Sequence, residues 1–296
     1  MSVKCYETEY KNFGRCVCLD NGIIKLMATL DVGPRIIYFS TRGNDNILFE
    51  DTDRDFYEMN KGYGTWYAYG GHRLWSAPEV LPETYLPDNE PVKYTFENGV
   101  LTLTPNRTIS EKQFQLIIEM TNGNKVHVTN TIQNCAEVPQ RFAPWSITGF
   151  SLGGIEYIPL CKDKKGFLPN RTMALWSYSN LRDERFELTD SYATLRHDRK
   201  AETAFKVGFN ATDGYVVYAA GNQLLRKSFE SYEDIHYPDY CCNFETYTNR
   251  HFLECELLGE ERDYAPSETA SIHETWELTE INQSPESVIS AYIQHK

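Results

Sequence analysis

The sequence has no apolar run approaching eighteen residues, so no segment reads as a membrane-spanning helix. It contains no Cys-x-x-Cys, no His-x-His and no His-Glu-x-x-His, so no metal site is expected. Cys16/Cys18 and the adjacent Cys241-Cys242 have poor zinc spacing and suit a small apolar role. A Gly-x-Ser-x-Gly elbow, a phosphate-cradling glycine loop and a dinucleotide fingerprint are also missing, which speaks against serine hydrolases, kinases and nicotinamide enzymes. No cofactor is expected. The first residues, Met1-Ser2-Val3-Lys4-Cys5-Tyr6, run into Glu7 and Glu9 without an apolar core or a small-residue cleavage site. With no export signal the eight cysteines read as reduced, and the expected compartment is the cytoplasm.

Basic charge is in short supply. Lys plus Arg number 29 against 42 Asp plus Glu, so the formal net charge is 29 − 42 = −13. An acidic chain repels phosphate backbones, which makes nucleic acid an unexpected partner. The acidity forms no tail, and solubility is its simplest use. Helix signals are scarce as well. One stands at the C-terminus, where Ser284 can cap, Pro285 suits the first helical position and Glu286 the first turn. Val288, Ile289, Tyr292 and Ile293 then share one face, which predicts a short helix lying against a sheet.

Strand signals fill the rest. Alternating or apolar runs cover 23–30, 35–40, 92–96, 101–104, 114–119, 125–133, 141–150, 204–209, 215–220, 223–229, 244–248, 252–258 and 271–278. Turn dipeptides separate them, among them Asn21-Gly22, Asn98-Gly99, Asn122-Gly123, Asp213-Gly214 and Gly221-Asn222. The last two bracket one short strand and read as consecutive hairpins. Stretches 50–91 and 159–200 look irregular, the first rich in Gly, Tyr, Trp and Pro, the second in charge and aromatics. There is no linker and no repeat. The expectation is one all-β sandwich domain over 1–296, with few short helices and two long loops that either carry function or cover a sheet face.

Three segments concentrate side chains able to do chemistry. In Gly64-Thr65-Trp66-Tyr67-Ala68-Tyr69-Gly70-Gly71-His72-Arg73-Leu74-Trp75-Ser76-Ala77-Pro78-Glu79, a glycine pair precedes a titratable His, a forked Arg donor and an indole platform. Such mixtures bind sugars: flat apolar faces for C–H groups and planar donors for vicinal hydroxyls. A loop that plugs one end of the sandwich would look the same. In the second segment Phe252, Glu254 and Glu256 share one strand face, and Glu245 precedes them on another strand. Two carboxylates on one face suit an acid/base pair, because repulsion raises one pKa; they also suit a solvated strand face. The third set is Asn170-Arg171, then Trp176 and Tyr178, with Trp145 on an apolar stretch nearer the middle of the chain.

The segment 70–79, read with Asp31-Val32-Gly33-Pro34-Arg35, Thr129-Asn130-Thr131, Ala143-Pro144-Trp145-Ser146-Ile147-Thr148, Leu175-Trp176-Ser177-Tyr178, Phe205-Lys206-Val207-Gly208, Glu245-Thr246-Tyr247-Thr248-Asn249 and Glu274-Thr275-Trp276, resembles the galactose-mutarotase-like (aldose 1-epimerase-like) superfamily. The resemblance covers most of the chain. It implies a large antiparallel β-supersandwich with a sugar cleft on a concave face. It also implies metal-free exchange of sugar anomers, with a late-strand Glu as base, a His as acid and an early Arg on the hydroxyls. By that resemblance the Arg is Arg73 and the base is Glu256 or Glu254. A middle-strand Asn-His pair of the family is replaced here by Trp145, which leaves His72 or His251 to supply the acid. The expected ligand is a small-molecule carbohydrate, bound by Arg73, Trp75, Glu79, Trp145, Asn170, Arg171, Trp176, Tyr178, Glu245 and His251. An aldose 1-epimerase-like isomerase is the leading expectation. Non-catalytic sugar binding, or lyase or isomerase chemistry in the same cleft, are the alternatives.

Overall fold

A computed structural model describes residues 2–151, 153–162 and 166–294. Among these residues two large antiparallel sheets pack face to face, with a two-stranded ribbon beside them. The first sheet runs Lys4–Glu9, Arg15–Asp20, Ile24–Thr29, Ile36–Thr41, His72–Ala77, Gln140–Phe150, Leu253–Leu258, Phe244–Thr248, Phe205–Phe209, Met173–Leu175, and Arg262–Tyr264 pairs with the start of Gln140–Phe150. The second runs Phe186–Leu188, Tyr192–Arg196, Ile155–Pro159, Tyr215–Ala220, Gln223–Phe229, Thr269–Glu280, Lys125–Asn134, Lys112–Met120, Val100–Thr104, Lys93–Glu97. The architecture is the all-β sandwich expected. One apolar cluster between the sheets takes residues from Val17 through Leu278, so strands distant in sequence bury a common core. No helix among the described residues is long and apolar enough to cross a membrane.

The predicted strands are all present, with ends shifted by one or two residues. Asn98-Gly99 makes a two-residue hairpin, both φ values positive at 53° and 85°, as a type I′ turn requires. The C-terminal helix spans Pro285–Gln294, and the Ser287 N–H donates to Ser284 Oγ at 3.3 Å. Its Val288, Ile289, Tyr292 and Ile293 pack on Ile155, Tyr157 and Val217, covering the outer face of the second sheet.

Two expectations change. Stretches 50–91 and 159–200 are not irregular throughout. The first carries the ribbon Tyr57–Asn60/Gly64–Tyr67 and the central strand His72–Ala77, the second Met173–Leu175, Phe186–Leu188 and Tyr192–Arg196; residues 163–165 lie outside the described residues. His72–Ala77 hides its strand signal because both faces of a central strand are covered, so polar and apolar residues do not alternate. Asp213-Gly214 is also not a hairpin. Phe205–Phe209 is already paired on both sides in the first sheet, so the chain crosses there to Tyr215–Ala220 in the second. Only Gly221-Asn222 closes a hairpin, with Ala220 opposite Gln223.

The core is not wholly apolar. Lys227 Nζ lies 3.0 Å from Glu274 Oε2 and donates to Thr148 Oγ1 at 2.7 Å. Glu274 also accepts from Ser146 Oγ (2.6 Å), Asn130 Nδ2 (2.9 Å) and Trp276 Nε1 (2.7 Å). Burial alone would raise this carboxyl. Lys227 and the hydroxyl and indole donors hold it down to about 2. Removing one member of such a buried pair strands the other charge, at a cost of about 3–5 kcal/mol. Lys227→Met is therefore expected to lower urea-unfolding stability by that order, and adding Glu274→Gln to recover part of it. Equal losses in the single and double variants would show that the unpaired charge is not the cause.

Candidate functional site

Two glycines set the strand that opens the site. Gly70 and Gly71 have φ of +92° and +69°, and a Cβ on them would meet the carbonyl oxygens of Phe49 at 2.3 Å and Ile36 at 2.2 Å. Glycine alone fits both positions. From there side chains alternate. His72 and Leu74 turn toward the second sheet, while Arg73, Trp75 and Ala77 turn to the opposite face. On that outer face the register sets Arg73 beside Ile147, Ile147 beside Glu256 and Glu256 beside Glu245. Trp75 stands beside Trp145, and Tyr247 beside both Glu254 and Lys206.

The outcome is two cation–carboxylate groups among indole rings. Arg73 Nη1 lies 3.0 Å from Glu254 Oε1, and the guanidinium stacks 4.3 Å from the ring of Trp75 and 5.6 Å from that of Trp66. Lys206 Nζ lies 2.8 Å from Glu245 Oε2 and 2.9 Å from Glu256 Oε2. Its ammonium sits 4.9 Å from the ring of Trp145 and 4.5 Å from that of Trp176. Trp145 Nε1 donates to Glu256 Oε2 at 2.9 Å. Trp75 meets Trp66, Tyr85 and Trp145 at centroid distances of 5.1, 5.4 and 5.2 Å.

Burial dominates the titration of this floor. It raises Glu245 to about 9 and raises Glu256, with Lys206 pulling each back down. Burial would lower Lys206, but the two carboxylates outweigh it and the ammonium persists. One cation thus serves two carboxylates, and burial favours the protonated form of both.

Several expected residues meet here: Arg73, Trp75, Trp145, Trp176, Glu245, Glu254 and Glu256. Tyr178 joins them at the rim. It is about half exposed, and Lys206, Tyr247, Glu256 and Glu79 bear on its charge. Glu79 lies just beyond the strand and accepts the Tyr85 hydroxyl. The others do not meet. Asn170 and Arg171 precede the edge strand Met173–Leu175, where the Asn170 carbonyl accepts from Asn210 Nδ2 and Arg171 Nε donates to Cys161 O. His251 lies in the turn before Leu253–Leu258, edge-on to Phe56 at 4.8 Å, and accepts from Arg250 Nε.

His72 is the main correction. It adjoins Arg73 in sequence, and for that reason it points the other way. Its ring is fully buried between the sheets, with Nδ1 2.9 Å from Thr148 Oγ1 and Nε2 2.9 Å from Asn130 Oδ1. Asn130 Nδ2 is spent on Glu274, so Asn130 Oδ1 accepts and Nε2 carries the proton. Burial depresses this imidazole to about 4, so it is neutral at pH 7 and walled off from the outer face.

Lys206, Trp66, Tyr85 and Tyr247 complete the site without having been singled out for a role. Lys206 did leave a trace: a lone charge between Phe205 and Val207, whose side chains go to the core, must face away from it.

The pH dependence of stability isolates His72. Its folded-state value of about 4 lies below the ordinary 6.5, so its contribution is complete above 6.5 and is lost as pH falls toward 4. The gap in urea midpoint between wild type and His72→Gln should therefore narrow between pH 6.5 and 4. A gap that stays constant over this window would refute a buried neutral His72.

No family model matches the sequence, and no curated protein matches it. Solved structures do. A TPR-domain containing protein from Parabacteroides distasonis superposes with a TM-score of 0.62 at 12% identity, over 92% of this chain and 48% of that one, so this chain spans about half its length. A galactose mutarotase-like protein from Lactobacillus casei gives 0.58 at 9% identity, over 89% of this chain and 100% of that one. Another from Clostridium acetobutylicum gives 0.55 at 9%, over 94% and 99%. At such identities the likeness concerns the fold, and the large antiparallel sheets described above match an all-β galactose-mutarotase-like fold.

Proposed function

We propose that this chain is a carbohydrate-binding protein that seats a sugar ring against the indoles of Trp75 and Trp176 and engages its hydroxyls through Arg73 and Glu254. The observation that carries this reading is the grouping of Arg73–Glu254 and Lys206–Glu256 among four indole rings on one sheet face. Sugars present C–H faces to aromatic rings and hydroxyl edges to paired donors and acceptors. A guanidinium held in a fork geometry suits vicinal hydroxyls. The shared fold supports the reading.

Proton transfer on the same sugar is the second reading, and Glu254 favours it. Among the described residues its Oε1 takes Arg73, whereas no hydrogen bond falls on Oε2. Glu256 is a poorer base, since Oε2 is held by both Trp145 and Lys206 and the residue is buried. In this scheme Glu254 takes the proton from the anomeric hydroxyl as the ring C–O bond opens. A neutral phenol, Tyr178, whose pKa burial pushes up, gives a proton to the ring oxygen. Rotation and reclosure return both protons, so mass and constitution are unchanged.

A panel of aldoses separates the two readings. Melting shifts without anomer exchange faster than buffer by NMR would establish binding alone. If exchange is accelerated, Glu254→Gln should slow it about a hundredfold or more while leaving binding within a few-fold. An unsaturated or keto product by mass spectrometry would instead point to lyase or isomerase chemistry. The proposal is abandoned if no sugar shifts the melting temperature and none is turned over.

A further inference from the structure

Beyond the Arg73 centre lies a cavity of about 530 Å³ between the ribbon residues 63–66, the loop 83–90 and the stretch 105–116. Trp66 and Trp75 form part of its wall, and the Arg73 guanidinium stacks on the same two rings. The cavity and the Arg73 centre are therefore neighbours across one pair of indoles.

The cavity also carries unused polar groups. Arg35 lines it, is 2% exposed, and pairs with Asp88, Nη2 to Oδ2, at 2.7 Å. Arg35 Nε and Asp88 Oδ1 have no hydrogen-bond partner among the described residues. Both atoms are enclosed in the wall, and an unpaired buried donor and acceptor are costly, so a polar ligand that draws either side chain toward the cavity relieves that cost. The charges of Arg35 and Asp88 cancel, Glu83 on the same wall is paired by Lys112, and the other two charged wall residues, Arg107 and Glu90, are one of each sign. A neutral ligand that both donates and accepts fits this better than a phosphate or carboxylate. Vicinal hydroxyls on a ring that also offers a C–H face have those properties, and the volume lies within the range of small-molecule sites.

We infer that the ligand is a short oligosaccharide, with one ring over Arg73 and Glu254 and the next in the cavity between Trp66 and the Arg35–Asp88 pair. This rests on the carbohydrate-binding reading above and narrows it from a free sugar to a chain of at least two residues. Arg35 thereby becomes a specificity residue in a stretch, Gly33-Pro34-Arg35, to which the Arg73 centre gives no role.

Calorimetry on the full chain tests this with glucose, galactose and mannose against their di- and trisaccharides. Wild type should bind a disaccharide about tenfold tighter or more than the matching monosaccharide. Leu86→Trp, which fills the cavity from its wall, should abolish that gain and leave monosaccharide affinity unchanged. Saturation-transfer NMR on wild type reads the same point without a variant: transfer to both rings is expected. Equal affinity at every chain length, or transfer to one ring only, overturns the inference while leaving sugar binding intact. Failure of every sugar to bind overturns both.

Discussion

The backbone of Gly71, pressed against the carbonyl oxygen of Ile36, sets the phase of everything that follows it in the first sheet. A side chain there would push the strand away, and a slip of one residue would exchange its two faces. His72 would then enter the outer face and Arg73 would be buried between the sheets without its carboxylate. The observed phase delivers Arg73 to Glu254 and Trp75 to Trp145, and sends His72 to Thr148 and Asn130.

The first sheet consequently separates two polar layers. Between the sheets, Lys227 and Glu274 are joined to His72, Asn130, Ser146 and Thr148 in a closed network. On the outer face, Arg73 and Lys206 serve Glu254, Glu245 and Glu256. The members of that network pair with one another, which is the condition for a buried polar network to stabilise a core, while Glu156, also buried between the sheets, has no hydrogen-bond partner among the described residues. In the outer layer Glu245 Oε1 and Arg73 Nε have no partner among the described residues.

Trp145 shapes the chemistry available there. Its N–H is committed to Glu256. That bond, with Lys206, turns one late-strand carboxylate into part of the floor and leaves Glu254 as the more approachable one. A fold shared with galactose mutarotase-like proteins does not carry their chemistry with it, because function resides in the side chains placed on the fold.

Much of this was legible in the residues. Alternation and Asn-Gly turns are local signals, and they located most of the strands. Side-chain parity put Glu254 and Glu256 on one face, and the lone Lys206 in Phe205–Phe209 marked the same face. The central strand His72–Ala77 was not legible, since burial on both faces erases alternation, and neither was the crossing at Asp213-Gly214, since a turn dipeptide does not say which sheet comes next. By itself the sequence determined the all-β class, the strands and the side chains that share a face, because those follow from spacing of two along one strand. Only the tertiary structure decided which charges meet. Lys206 finds Glu256 across 50 residues and Trp145 finds it across 111, through a strand order that no local pattern encodes.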